Sequence, residues 1–226
     1  MIRLLSSLAI TLLLPVVGAA QQRIQGERAE LSYAIGYEIG RDLAERKMDV
    51  DIALLTRAIQ DGHAKREPAV AESVMRERIG KMQEKMREEA REKFRQLAEE
   101  NKRKSEQFLA ENRRKKGIVV LPSGVQYRVI EEGDGPRPSL TSQVTVHYRG
   151  SLMSGLEFDS SFARGVPATF QVDQVLPGWQ EVLPLMRVGD YWQVFLPPEL
   201  AYGERGNPPI GPNEALIFDI RLLEVK

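Results

Sequence analysis

Few side chains in this sequence could carry covalent or acid–base chemistry. It has no cysteine, which excludes a cysteine nucleophile, a thiolate metal site and a disulfide framework. The two histidines, His63 and His147, are far apart in the chain and do not have the spacing of metal ligands. No Gly-x-Ser-x-Gly motif is present, and Gly203, Gly206 and Gly211 lack the Gly-Lys-Ser/Thr ending of a phosphate-binding loop. We therefore expect neither a metal nor a cofactor.

The C-terminal half instead carries aromatic and aliphatic side chains close to its turns. Such side chains could line a dry pocket that binds an apolar group, with a few polar atoms to orient it. The same residues could form a hydrophobic core, and composition alone favours that interpretation. The candidates are Tyr148, Phe158, Phe170, Trp179, Tyr202 and Phe218, together with Val175, Leu176, Ile210 and the carboxylate of Asp159.

The overall charge argues against nucleic acid as a partner. The 226 residues include 32 lysines and arginines and 32 aspartates and glutamates, so the formal net charge is zero. A balanced chain has no bulk attraction for nucleic acid or acidic lipid. One basic cluster, residues 113–116, has no aromatic residues interleaved with it, and we interpret it as the C-terminus of a helix, where positive charge complements the helix dipole.

The first twenty residues have the pattern of a cleaved secretory signal peptide. Arg3 supplies a positive charge, residues 4–17 are almost wholly apolar, and residues 18–20 are small, as a signal peptidase requires. The apolar run of about 14 residues is shorter than the roughly 20 that a membrane-spanning helix needs. An uncleaved anchor is the alternative, but we expect residues 1–20 to be removed on export and no stable membrane insertion.

Residues 21–66 are predicted to form two short helices. In the first, apolar residues recur every four positions, and a row of small residues lies beside them. Two glycines inside a helix cost about 1 kcal/mol each, which close approach of another helix would offset. Because helices this short cannot bury a core of their own, we expect pairing with a second copy of the chain; an intrachain helix pair is the alternative. The apolar row is Leu31, Ile35, Ile39 and Leu43, and the small row is Ser32, Gly36, Gly40 and Ala44.

Residues 67–116 are predicted to form one long, exposed helix. Over half of the residues in 65–116 are charged, and Pro68 is suited to the first turn of a helix. A narrow apolar stripe runs along the predicted helix, and it could pack against other helices or bind unfolded chains. The stripe is Met75, Ile79, Met82, Met86, Ala90, Phe94 and Leu97.

Residues 117–226 have the pattern of an α+β domain. Runs of β-branched and aromatic residues, separated by Gly, Pro, Asn, Asp and Ser, predict strands. Only 178–186 has a helical pattern among them, and Pro184 should end or shorten that helix. We therefore expect an antiparallel sheet folded over one short helix. The predicted strands are 118–121, 125–130, 144–152, 168–172, 191–196 and 215–223.

Five short motifs follow one another in this region: 144–150 (VTVHYRG), 155–161 (GLEFDSS), 175–179 (VLPGW), 197–203 (PPELAYG) and 216–218 (LIF). In type and order they resemble the motifs of the FKBP-type peptidyl-prolyl cis-trans isomerases. Residues 31–40, the long charged helix and residues 121–127 carry a second resemblance. They resemble the exported, dimeric, two-domain members of that family, the Mip/FkpA-like subgroup.

Carried over by position, the resemblance implies roles for the candidate residues. Trp179 would form the floor of a proline-binding pocket, and Asp159 would lie beside the carbonyl group of the bound segment. The amide of Leu176 and the hydroxyl of Tyr202 would hold the peptide backbone. Three departures affect the rim and substrate preference more than the floor: Ala168 in place of the phenylalanine of many members, Asn207 in place of a histidine of some, and a turn after Tyr202 that is about one residue shorter. The walls would be Tyr148, Phe158 and Phe218, the rim would be Val175, Leu176, Tyr202 and Ile210, and Phe170 would be a further substrate-binding residue.

The resemblance also implies what the protein does and where. It implies an isomerase that assists the folding of exported proteins, with unfolded or proline-containing polypeptides as substrates, macrolide inhibitors as further ligands, and no metal or cofactor. The subgroup implies a homodimer formed by the N-terminal helices and located in the periplasm, with outer-surface association in some relatives. The alternatives are a peptide-binding periplasmic chaperone with weak or no isomerase activity, which the altered rim would favour, and a purely structural dimer.

Overall fold

The computed structural model describes residues 24–226. The segment predicted as a signal peptide, residues 1–20, lies outside these described residues. The chain divides into two compact units, Met1–Glu72 and Ser73–Lys226. Within residues 24–226, no helix combines the length and the apolar character that crossing a membrane would require.

The first unit contains the two predicted helices. Helix α1 spans Glu27–Glu45 and helix α2 spans Ile52–His63. The carboxylate of Asp51 accepts a hydrogen bond of 3.0 Å from the Leu54 amide, which satisfies one of the free N–H groups at the start of α2. Neither helix has a buried residue, so most of the apolar row predicted in α1 is exposed to solvent.

The second unit begins with one continuous helix, α3, over Glu72–Asn112. Its 41 residues correspond to a length of about 60 Å. The predicted bounds, 67–116, are too wide at both ends, because the chain bends at residues 69–70 before the helix starts and the helix ends at Asn112. A proline at the first turn of a helix only loses an N–H that would be free anyway, so it permits a helix there without requiring one. Ion pairs four residues apart support the exposed face, as between Lys81 and Glu77 at 2.7 Å.

The remainder of the second unit is a seven-stranded antiparallel sheet. Its strands are β1 (Val119–Val120), β2 (Gln126–Glu131), β3 (Gln143–Leu152), β4 (Glu157–Ser160), β5 (Ala168–Gln171), β6 (Tyr191–Leu196) and β7 (Leu216–Val225). The order across the sheet is β1–β2–β6–β7–β3–β4, and β5 pairs with β3 as well. The long central pair, β3 and β7, aligns Val144 with Val225 and Leu152 with Leu216.

The predicted strands are all present, with shifts of at most two residues at their ends. The sequence prediction does not include β4, whose four residues contain only one apolar side chain. Its extended backbone is stabilised by pairing with β3, where Asp159 lies opposite Gly150. Short strands of this kind depend on a partner that lies elsewhere in the chain, so a local pattern does not reveal them.

Two short helices follow β4: α4 (Ser161–Arg164), and α5 (Pro177–Val182), which packs against the sheet. Pro184 follows in a single 3-10 turn, Leu183–Leu185, so the helical segment predicted at 178–186 is shortened as expected. Trp179, Val182 and Leu183 share one hydrophobic core with the inward-facing residues of β3, β6 and β7. The sheet on a short helix, preceded by an all-helical region, confirms the predicted α+β fold.

The packing of α5 on β6 leads to a prediction for Gly178→Ala. A Cβ at Gly178 would lie 3.0 Å from Leu196 Cδ1 and closer still to Cδ2, and Leu196 is fully buried, so it has no free space to move into. We expect the free energy of unfolding to fall by about 1–3 kcal/mol. Urea denaturation followed by circular dichroism measures this change.

Gly80→Ala is the matched control for that substitution. Gly80 lies in the middle of α3 with open space around the position of a Cβ. Alanine there should stabilise the helix by up to about 1 kcal/mol. Equal effects of the two substitutions would contradict the close packing of α5 on β6.

Candidate active site

Five aromatic rings meet at the start of α5, and we call them the aromatic cluster: Tyr148, Phe158, Phe170, Trp179 and Phe218. Trp179 lies at the centre, with ring centroids 5.2 Å from Phe218, 5.5 Å from Tyr148 and 6.0 Å from Phe170. The interplanar angles of these three contacts lie between 84° and 89°. Edge-to-face pairs of this kind contribute about 0.5–1.5 kcal/mol each beyond area burial. Three rings from three strands therefore fix the plane of the indole.

Gly150 allows two rings of the cluster to approach each other. It lies on β3, directly opposite Phe218 on β7. The rings of Phe158 and Phe218 are 5.8 Å apart, at an angle of 87°. A Cβ at Gly150 would lie 2.6 Å from Phe158 Cζ and 2.8 Å from Phe218 Cε1, which no real packing permits. Any larger residue at this position would displace both rings.

The predicted rim residues surround the aromatic cluster. Ile210 is buried, whereas Val175, Leu176 and Tyr202 are partly buried, and all four pack against the same core. Gln180 holds the segment before α5, since its side-chain amide donates to the carbonyl oxygen of Val175 at 2.9 Å. Leu176 immediately precedes α5 and its carbonyl oxygen accepts from the first helical amides, so its own N–H lies outside the helix hydrogen bonds.

Asp159 lies beside the cluster and is held by two donors. Tyr148 donates its hydroxyl proton to the Asp159 carboxylate, and Arg164 forms an ion pair with the same group. The Arg164 guanidinium also donates to the hydroxyl oxygen of Tyr148 at 3.1 Å. Arg164 is the last residue of a short helix, α4 (Ser161–Arg164), whose N-terminus is capped by the hydroxyl of Ser160. The three side chains form a closed hydrogen-bonded triangle.

The surroundings of this triangle keep Asp159 charged and Tyr148 neutral. Burial raises the pKa of Asp159, but the hydrogen bonds from Tyr148 and Arg164 together with the arginine charge lower it more, so the pKa lies below its usual range. Burial, followed by the bond to the adjacent carboxylate, raises the pKa of Tyr148. At neutral pH the site therefore presents a carboxylate whose position is fixed and a phenol whose proton is already donated.

The structure brings together all the candidate residues from the sequence: the aromatic cluster, Asp159 and the four rim residues. Sequence analysis did not identify Arg164, Gly150 or Gln180, although each holds a site residue in place. Asp159 lies on β4 and Arg164 at the end of α4, so their pairing depends on the turn between the two elements and no helical charge spacing indicates it. Gly150 and Gln180 act through contacts that no local pattern reveals.

Within residues 24–226, no group of three or more metal-ligating side chains is placed to hold a metal ion.

The ion pair of Asp159 leads to a prediction about acid stability. Because the pKa of Asp159 is lower in the folded than in the unfolded protein, its contribution to stability is present above pH 4 and is lost as the pH falls through the folded pKa. We expect the difference in urea midpoint between the wild type and Asp159→Asn to be constant from about pH 5 to 7 and to shrink below about pH 4. Asp134→Asn, at an exposed carboxylate, is the control. A difference that stays constant down to pH 2.5 would contradict the ion pair.

Two family models match successive parts of the chain. Residues 135–223 match the model described as FKBP-type peptidyl-prolyl cis-trans isomerase. Residues 28–129 match the model described as the domain amino terminal to FKBP-type peptidyl-prolyl isomerase. The first match covers β3 to most of β7 with the aromatic cluster, and the second covers nearly all of α1, the whole of α2, α3 and β1, and part of β2.

Relatives with similar sequences span most of the chain. The outer membrane protein MIP of Legionella longbeachae is 44% identical over 201 residues, which cover 88% of this chain and 86% of the relative. The peptidyl-prolyl cis-trans isomerase Mip of Coxiella burnetii is 40% identical over 224 residues, which cover 99% of this chain and 97% of the relative. Among solved structures, FkpA from Escherichia coli matches with a TM-score of 0.72 and 31% identity, over 90% of this chain and 99% of that chain. The chain therefore belongs to the FKBP-type peptidyl-prolyl cis-trans isomerases.

Proposed function

We propose that this isomerase binds an X-Pro segment of an unfolded or proline-containing polypeptide on the indole of Trp179. The observation that carries the proposal is the environment of that ring, which three other rings contact at nearly perpendicular angles and which partly buried rim residues border. A proline ring packed there would bury apolar surface. The residues proposed to contact the flanking peptide are Val175, Leu176, Tyr202 and Ile210, and those proposed to contact the reacting bond are Tyr148, Phe158, Asp159 and Phe218, with Phe170 supporting them.

The apolar character of the cluster is sufficient to lower the barrier. Rotation about an X-Pro bond requires the loss of amide resonance, at a cost of about 18–20 kcal/mol. The planar amide carries more negative charge on its oxygen than the twisted amide does. A site without water therefore disfavours the planar ground state more than the twisted transition state, and the barrier falls. No covalent bond forms or breaks at any stage.

Asp159 is proposed to act in the same direction through its charge. A carboxylate beside the carbonyl oxygen repels the planar amide more strongly than the twisted one, because the planar oxygen is more negative. Tyr148 and Arg164 hold the carboxylate before any substrate arrives. The charge therefore needs no reorganisation during the reaction, which is the condition for efficient electrostatic catalysis.

The first unit supports a homodimer, which we place in the periplasm after cleavage of residues 1–20. Leu31, Ile35 and Ile39 on α1 are 61%, 55% and 42% exposed, and they form one apolar row. No residue of α1 or α2 is buried, so α2 does not cover this row. A second copy of the same helix would remove it from water. The name of the Legionella longbeachae relative, an outer membrane protein, makes association with the outer surface a further proposal.

A second candidate function, peptide binding by a chaperone with weak or no isomerase activity, is favoured by the surface of α3. The apolar stripe predicted on this helix is exposed, with Ile79 at 52%, Phe94 at 48% and Leu97 at 45%. Two copies held together would present two such stripes to one unfolded chain and raise the effective concentration of binding sites. Macrolide inhibitors, which would occupy the aromatic cluster, should block isomerisation without blocking this stripe.

The proposed site predicts the effect of Trp179→Leu on catalysis. Loss of the indole removes the surface on which proline packs, and we expect kcat/KM for a proline tetrapeptide to fall about tenfold or more. Trp192→Leu is the matched control, since Trp192 is an equally buried tryptophan whose ring stacks on Tyr127 at 4.3 Å, outside the cluster. Both variants are compared at equal folded concentration, established by circular dichroism. Equal activity of the two variants would overturn the assignment of the site.

Measurements of refolding, of macrolide inhibition and of aggregation on the wild-type chain separate the two candidate functions. A wild-type chain that accelerates proline-limited refolding and is inhibited by a macrolide is an isomerase at this site. A wild-type chain that suppresses aggregation of an unfolded protein but leaves proline peptides unaffected is the chaperone alternative.

The exposed row of α1 predicts the effect of Ile35→Glu on assembly. A carboxylate at a dimer interface would be buried without a partner, so we expect the variant to be a monomer at concentrations where the wild type is a dimer. Leu156→Glu is the control, because Leu156 is 56% exposed and lies in the second unit, whereas Ile35 is 55% exposed and lies in the first. Light scattering measures both masses. A wild-type monomer, or a dimer that survives Ile35→Glu, would contradict the proposed interface.

A further inference from the structure

Helix α3 buries three polar side chains near its C-terminus. Asn101, Ser105 and Asn112 are 6%, 1% and 1% exposed, and no other residue of the 41-residue helix is buried. Their spacing of four and seven positions places them on one face of the helix. A buried polar side chain is costly unless it forms hydrogen bonds. The hydrogen-bond partners of these residues therefore identify the segments to which this face of α3 is attached.

Two of the three side chains bond to the loop that carries the rim residue Ile210. The Asn101 amide donates to the carbonyl oxygen of Pro212 at 2.9 Å. The Ser105 hydroxyl donates to the carbonyl oxygen of Asn213 at 2.8 Å and accepts from the Ala215 amide at 2.8 Å. These contacts join residues more than 100 positions apart in the chain.

The loop also bonds back to the helix. The side-chain amide of Asn213 donates to the carbonyl oxygen of Ala98 at 3.2 Å. Asn213 itself has a positive φ of 54°, a conformation that asparagine tolerates better than most residues. At Gly211 an added Cβ would lie 3.0 Å from Asn101 Nδ2, so loop and helix are in close contact at this point. The loop is thereby tied to two successive turns of α3.

From this anchored segment, hydrogen bonds extend to both sides of the proposed site. The Asn213 amide donates to the carbonyl oxygen of Gly203 at 2.9 Å, and Gly203 directly follows the rim residue Tyr202. The backbone of Ile210 exchanges hydrogen bonds of 2.8 and 2.9 Å with Asn207, which closes the turn before the anchored residues. Displacement of residues 212–215 would therefore move Ile210 and Tyr202 together.

We propose that Asn101 and Ser105 are positioning residues for catalysis, which fix the rim residues Ile210 and Tyr202 through the loop 210–215. This inference rests on the proposed site, because it assumes that these rim residues contact the peptide. Neither Asn101 nor Ser105 is itself part of the aromatic cluster. Through this loop, the C-terminal part of α3 holds in place the residues that are proposed to contact the peptide.

The third buried side chain provides a matched control. Asn112 donates to the side-chain oxygen of Gln126 on β2 at 3.0 Å, and Gln126 in turn donates to the carbonyl oxygen of Leu109 at 2.9 Å. These bonds also attach α3 to the sheet, but they do not involve the loop 210–215. Asn101→Ala and Asn112→Ala therefore remove the same type of buried side chain from the same helix, and only the first releases the rim.

The experiment measures kcat and KM of the full chain for a proline tetrapeptide. For Asn101→Ala we expect KM to rise about fivefold with kcat changed less than about twofold, because a mobile rim weakens binding of the ground state and the transition state alike. For Asn112→Ala we expect a lower unfolding midpoint and an unchanged KM. An unchanged KM in Asn101→Ala, or an equal rise in both variants, would overturn the inference. Asn101→Leu replaces Asn101→Ala if the alanine variant does not fold, since it keeps a similar volume and loses the donor without burying a charge.

Amide hydrogen exchange tests the same inference without catalysis. We expect the amide of Ile210 to exchange about tenfold faster in Asn101→Ala than in the wild type, and at the wild-type rate in Asn112→Ala. Unchanged exchange at Ile210 in Asn101→Ala would overturn the positioning role even if the chain is active. The wild type could show no isomerase activity while Ile210 still exchanges faster in Asn101→Ala. That result would support the positioning of the rim by α3 and would show that the proposed function is wrong.

Discussion

The edge-to-face packing of three rings around Trp179 is the interaction on which the second unit depends. It requires β3, β5 and β7 to place a ring each within about 6 Å of one indole, and it requires α5 to present that indole at its first turn. A side chain at Gly150 would collide with Phe158 and Phe218, and one at Gly178 would collide with Leu196. The curvature of the sheet over a single short helix is thus the geometry in which these rings can meet.

Polar groups next to the cluster are satisfied by one another. The Tyr148 hydroxyl donates to Asp159, which also pairs with Arg164, and the side chains of Asp159 and Arg164 are 41% and 52% exposed. These bonds hold a carboxylate at a partly exposed position beside an apolar cluster. Tyr148 belongs to both groups, because its ring contacts Trp179 and its hydroxyl bonds to Asp159.

Much of the fold followed from the sequence, because β-branched runs and the helical spacing of apolar residues are local signals. The candidate site followed from aromatic residues near turns and from the resemblance to a family. What the sequence did not reveal depends on contacts between distant segments. Asn101 and Ser105 lie among charged residues of a helix that is otherwise largely exposed, and both bond to the loop 210–215, more than 100 residues away. Strand β4 was missed for the same reason.

The anchoring of the rim to α3 also determines where the catalytic unit begins. The β-rich pattern starts at residue 117 and the match to the isomerase family at residue 135, yet the rim loop is bonded to residues 98–105. A fragment cut at either of these boundaries would keep every ring of the cluster and lose the bonds that hold its rim. Comparison of such a fragment with the intact chain would mix two effects, the absence of the first unit and the release of the rim. The compact unit that carries the aromatic cluster, Ser73–Lys226, thus includes almost all of the helix that the sequence predicts to be long and exposed.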